Sequence, residues 1–126
     1  MPKSVPTLPG VEPGPYPFSQ IVEANGFVFL AGQVGDAPGG HGAVPGGISA
    51  ETRAMLDNVG RLLTAAGLGF GDVVKCTVYL RDFDDFAAMN EVYREYFPTE
   101  PPTRATVGVT ALAADYNIEI EVLATR

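Results

Sequence analysis

The chain reads most clearly through the spacing of its apolar positions. In "FSQIVEANGFVFLAGQV" two β-prone runs flank Asn25-Gly26, a two-residue turn signal, and predict a hairpin. From Ser49 the period lengthens: Met55, Val59, Leu62 and Ala66 recur at helical spacing. Ser49 is the expected N-cap, Glu51 suits the first turn, and Gly67 stops the helix. In "DVVKCTVYLRD" the period returns to two. Val74, Cys76, Val78 and Leu80 are expected on one face, and Lys75, Thr77, Tyr79 and Arg81 on the other.

A second helix is expected from Asp82, whose carboxylate can cap the amides of Asp84 and Asp85. Its apolar stripe is Phe86, Met89, Tyr93 and Phe97, and Pro98 ends it. The last strands, "TRATVGVTAL" and "NIEIEVLAT", read as a second hairpin with a loop around "AADY". The order is β-β-α-β-α-β-β: an α/β (α+β) domain with a single mixed β-sheet and two helices on one face. The whole chain, residues 1–126, is expected to form this one domain.

Two segments lack such periodicity. Six of the eleven prolines fall within residues 1–17, which predicts an extended, loosely ordered lead-in. "GDAPGGHGAVPGG", residues 35–47, predicts a flexible loop of the kind that serves as a lid or binding loop, or is simply disordered.

Period-two counting assigns faces. Ile118, Ile120, Val122 and Ala124 are expected under the helices, with Glu119, Glu121 and Leu123 opposite. The same count puts Ala105, Val107 and Val109 under the helices, and Arg104, Thr106 and Gly108 away from them. The uncovered face would mix apolar and charged residues, which suggests burial against another subunit.

Composition narrows the function. Eight basic against fifteen acidic residues give a net charge of −7, which argues against nucleic-acid and membrane partners. The single cysteine, Cys76, sits in an apolar run and reads as a buried small hydrophobe. One histidine, His41, and one cysteine are too few for a metal site. No apolar h-region opens the chain and no apolar run reaches membrane-spanning length, so the expectation is a cytoplasmic protein.

The candidate chemistry is Arg104 with Glu119, expected on the same face of the last hairpin. They form either an interstrand salt bridge or a site. In a site, the Arg104 fork binds a substrate carboxylate and Glu119 orients or deprotonates a water. Four segments bear on the choice: "PFSQIVEANGFVFLAGQ", "TRAMLDNVGRLLTAAGLGFGDVVKCTVYLRDFDDFAAMNEVYREYF", "PPTRATV" and "IEIEVLA". In this order they resemble the Rid (YjgF-type) family of enamine/imine deaminases.

That resemblance implies a chorismate-mutase-like fold and a homotrimer with clefts between subunits. It also implies hydrolysis of reactive 2-imino and 2-enamino acids to 2-keto acids and ammonia, without cofactor or metal. It assigns carboxylate binding to Arg104, water activation to Glu119, and substrate contact to Asn90. Where the family pattern has a tyrosine and a serine, this chain has Phe18 and Ala31; where it often has cysteine, this chain has Thr106. The missing hydroxyls keep a non-catalytic, keto-acid-binding trimer open as an alternative, with endoribonuclease activity a third reading.

Overall fold

The computed structural model describes residues 2–126. Its strands are β1 (Ile21–Ala24), β2 (Phe27–Val34), β3 (Val73–Leu80), β4 (Thr103–Gly108) and β5 (Ile118–Thr125). Its helices are α1 (Ile48–Ala65) and α2 (Phe86–Tyr96), each preceded or followed by short loops and 3₁₀ turns. The expected element order holds. The strands form one sheet in the order β1-β2-β5-β3-β4.

Local chemistry explains the boundaries. Asn25 and Gly26 both take positive φ, 53° and 81°, as a tight turn between β1 and β2 requires. At the end of α1, Gly67 has φ 77° and its N–H donates to the Thr64 carbonyl. Asp82 accepts from the Asp84 amide at 2.9 Å and begins a 3₁₀ turn, with α2 following at Phe86. The expected caps are met only in part. Gly47, not Ser49, occupies the N-cap of α1, because the helix begins two residues earlier than expected and Ser49 falls inside its first turn.

The core lies between the helices and one face of the sheet. Met55, Leu56, Val59 and Leu63 of α1 and Met89 of α2 are fully buried against Val78, Leu80, Ile118 and Ile120. Burying each such side chain contributes about 1.5–3 kcal/mol. Cys76 is buried within this layer. On β3 the inward set is Val73, Cys76, Val78 and Leu80. A bulge between Val73 and Lys75 turns Val74 outward, where it is 39% exposed.

The last two strands do not form a hairpin. The α2 crossover lays β4 parallel to β3 at the sheet edge, while β5 runs antiparallel between β2 and β3. This reverses the face expected for β4. Arg104 stands beside Cys76, on the helix side, and Glu119 stands beside Tyr79, on the open side. Ala105 and Val107 face outward instead. With Phe27, Phe29 and Val74, Val107 makes that open face partly apolar.

Both irregular segments make specific contacts with the domain. Ser4 pairs with Glu23 through two backbone hydrogen bonds of 2.8 Å, and Leu8 and Val11 pack on the core. The glycine-rich loop is pinched at its base by an Asp36–Ala43 bridge. Asn58 donates to the carbonyls of Val34 and Asp36, and the Ala43 amide donates to Asp115 at 3.0 Å. His41 lies exposed at its tip.

Candidate active site

The sheet carries two groups of candidate residues, one on each face. On the helix side, Arg104 of β4 reaches across α2. Its guanidinium carbon lies 4.6 Å from the Tyr93 ring centroid and 5.6 Å from that of Phe86. Nη1 approaches the Met89 sulfur at 3.9 Å. Among the described residues Arg104 makes no ion pair. It opens on a cavity of about 320 Å³, lined also by Asn90, Tyr93, Arg94, Phe97 and Pro102.

Thr106, two residues along β4, projects to the same side. Its buried hydroxyl has no hydrogen-bond partner among the described residues, and the Tyr93 hydroxyl stands beside the Cys76 thiol. Burial is the main cause that pushes the Tyr93 phenol well above its ordinary pKa. The structure therefore brings Arg104 and Asn90 to one cavity and puts Thr106 on the same face of β4 as Arg104, all three named from the sequence.

Glu119 belongs to the other group. It is half-buried on the open face, where its carboxylate lies against Gly32 of β2. A bulge at Ala31-Gly32 makes room for it, and the Gln33 side chain holds the bulge by donating to the Ala31 carbonyl at 3.0 Å. Among the described residues no cation pairs with Glu119. Burial, and then the neighbouring Glu121, raise its pKa above the ordinary value. Glu121 itself accepts from the Tyr79 hydroxyl at 2.8 Å. Ala31 joins Glu119 here, and its N–H donates to the Gln20 carbonyl. Phe18, two residues before Gln20, is 56% exposed and lines a separate small cavity with Val5, Val11 and Gln20.

The salt bridge between Arg104 and Glu119 considered from the sequence is thus absent, since the sheet lies between them. A larger cavity, about 860 Å³, runs between Pro9–Val11 and the flank of α1 and reaches Gln33, the side chain that holds the bulge. It holds none of the candidate residues.

Sequence reasoning missed two supporting residues. Glu51 is 1% exposed, and its carboxylate accepts from the Asn117 backbone and side-chain amides at 2.7 and 2.8 Å. It anchors the segment leading into β5, two residues before Glu119. Its position in the first helical turn signalled only a dipole role. Gly32 was also passed over; no local pattern marks a glycine that faces a carboxylate across a bulge.

Comparison with known proteins places this geometry in a lineage. The sequence profile described as Endoribonuclease L-PSP matches residues 12–126. The chain belongs to the endoribonuclease L-PSP (YjgF/Rid) family. A RutC family protein of Pyrococcus horikoshii is 47% identical over 110 residues, 87% of each chain. The 2-iminobutanoate/2-iminopropanoate deaminase of Mus musculus is 42% identical over 110 residues, 87% of this chain and 82% of its own. Among solved structures, E. coli TdcF with bound serine superposes with a TM-score of 0.82 at 38% identity, covering 90% of this chain and 91% of its own. The Rid-type resemblance seen in the sequence is therefore a family relationship, and the chorismate-mutase-like sheet with two helices is the fold these relatives share.

Proposed function

We propose that this Rid-family chain hydrolyses reactive 2-imino and 2-enamino acids to 2-keto acids and ammonia. The observation that carries the reading is Glu119: a half-buried carboxylate without a cation partner among the described residues, on a face that also lacks a covering helix. The deaminase name of the mouse relative supports the same reaction class.

The chemistry suits the residues. A protonated imine carbon is electrophilic enough to take water once the two are positioned. Arg104 would hold the substrate carboxylate through its planar fork, with Asn90 and Thr106 beside it. Glu119 would take a proton from water as the oxygen bonds to C2, giving a carbinolamine. It would then return that proton to nitrogen and, as the C–N bond breaks, take the remaining O–H proton while the carbonyl forms; the departing ammonia carries that proton away as ammonium. An enamine first takes a proton at C3 to become the imine. The raised pKa of Glu119 brings it closer to both halves of this transfer.

Since Arg104 and Glu119 lie on opposite faces of one sheet, a single chain offers two half-sites. We place the complete site between copies of the chain, with a homotrimer as the assembly. Its interfaces would cover the apolar part of the open face around Phe27, Phe29 and Val107.

The test is an amino-acid oxidase that generates imines in the presence of semicarbazide, which traps them. An active deaminase diverts the imine to keto acid and lowers the semicarbazone yield. An unchanged yield across several amino acids, together with measurable keto-acid binding, would favour the non-catalytic trimer instead. That alternative draws its support from Phe18 and Ala31, which carry no hydroxyl for water or departing ammonia. Ribonuclease activity, which the family's description names, is disfavoured by the net charge of −7.

A further inference from the structure

We infer that Phe86 and Tyr93 are positioning residues for the carboxylate anchor: they hold the Arg104 guanidinium by their ring faces. The inference rests on the reading of Arg104 as that anchor. A binding arginine needs a fixed fork, and proteins commonly fix one with an acidic side chain. Such a partner would also occupy the donors that a substrate carboxylate must reach. Arg104 has no such partner among the described residues. Instead its guanidinium carbon sits 4.6 Å from the Tyr93 centroid and 5.6 Å from the Phe86 centroid, with Met89 sulfur at 3.9 Å from Nη1.

Ring faces attract a cation without accepting its in-plane N–H bonds. The fork is therefore held while donors remain for an incoming carboxylate. Both rings stand on α2, one at its first residue and one two turns later, so the helix presents them as a unit. The rings are themselves braced. Phe86 stacks on Phe83 at 5.1 Å, and Tyr93 packs against Phe97 at 4.7 Å. The Tyr93 hydroxyl stands beside the buried Cys76 thiol, away from the guanidinium that its ring face meets. What it contributes at Arg104 is its ring.

The experiment has one readout that needs no ligand and one that does. Arginine side-chain NMR of the free protein should show the Arg104 Nε–H ordered and ring-shifted upfield, its signal assigned by its loss in Arg104→Lys. Phe86→Leu, at a half-buried position that should tolerate the change, and Tyr93→Leu should both return the shift toward that of free arginine. Calorimetric titration with 2-oxobutanoate should then show at least tenfold weaker binding in each leucine variant. Tyr93→Phe should rescue the loss seen in Tyr93→Leu, because it keeps the ring. If Tyr93→Leu fails to fold, Phe86→Leu decides. An Arg104 signal that is unshifted in the wild type, or unmoved in Phe86→Leu, overturns the clamp whether or not the protein is a deaminase. Wild-type protein that shows the shifted signal but binds no keto acid retains the clamp and overturns the reading of Arg104 as the anchor.

Discussion

Arg104 and Glu119 are separated by the sheet that carries both of them. Arg104 neighbours Cys76 on β3, and Glu119 neighbours Tyr79 on the same strand; these two positions are of opposite parity. One site that uses both residues must therefore draw on two copies of the chain. Mixed subunits test this. Arg104→Ala and Glu119→Gln should each be nearly inactive as pure assemblies. Unfolded and refolded together in equal amounts, they should regain about a quarter of wild-type activity, since one site in four then pairs an intact arginine with an intact glutamate. No recovery from co-assembled subunits, or a monomer in light scattering, would sink the shared site.

Glu119 should set the acid limb of the pH profile. As a general base it must be ionised, and burial with Glu121 raises its pKa above the ordinary value. Turnover should therefore fall as pH drops through that raised value. Glu119→Gln should slow turnover by about 10²–10⁴-fold, the usual worth of a general base. Glu121→Gln removes the like charge and should move the limb to lower pH.

Stability should respond with the opposite sense. A carboxyl whose folded pKa is raised is destabilising when ionised, and protonation relieves it. In the wild type this contribution to stability is lost as pH rises from the unfolded-state pKa through the folded one. Urea melts of Glu119→Gln should lack that slope and show a more stable protein at neutral pH. A variant less stable than wild type at pH 7 would contradict the assigned burial cost.

Much of this arrangement was legible in the sequence, and the remainder is absent from it for a physical reason. Asn25-Gly26 and Gly67 fix turns through their own backbone preferences, so the hairpin and the end of α1 could be read locally. Arg104, Asn90, Thr106 and Glu119 could be named because their types suit the chemistry and their motifs match the family. Period two shows which residues of a strand share a face, but not which face meets the helices. For β4 that depends on pairing with β3 rather than β5, a non-local choice. Apolar Ala105 and Val107 suggested an inward face, yet the aromatic rings of α2 receive Arg104 there instead.

Phe18 and Ala31 should tune which imine is used. Both lack the hydroxyls of the family pattern, so an intersubunit cleft that brought Phe18 beside Ala31 would be more apolar. Imines of leucine or methionine type should be preferred to 2-aminoacrylate, in a graded way, since one methylene in an apolar pocket discriminates by about 1–3 kcal/mol. Phe18→Tyr with Ala31→Ser should shift kcat/KM back toward the small substrate. A ratio that does not move would exonerate both positions, leaving the 35–47 loop as the better suspect.

Gly32 offers a way to disturb the Glu119 carboxylate without altering it chemically. A Cβ on Gly32 would overlap Glu119 Oε2, the far end of a flexible side chain that can turn aside. Gly32→Ala should therefore fold, with a melting curve close to wild type. Its turnover should fall by about 10–100-fold, because a displaced base loses the geometry on which positioning depends. KM should change little if Arg104 binds the substrate from another subunit. Gly35→Ala is the contrasting variant. There the added Cβ would meet the Glu51 backbone carbonyl, which cannot move without shifting α1. That variant should lose stability and activity together. If Gly32→Ala keeps full turnover while Glu119→Gln loses it, the carboxylate tolerates displacement and its position against Gly32 is not the catalytic one. If Gly32→Ala instead unfolds the protein, the bulge is a structural necessity rather than a seat for the base.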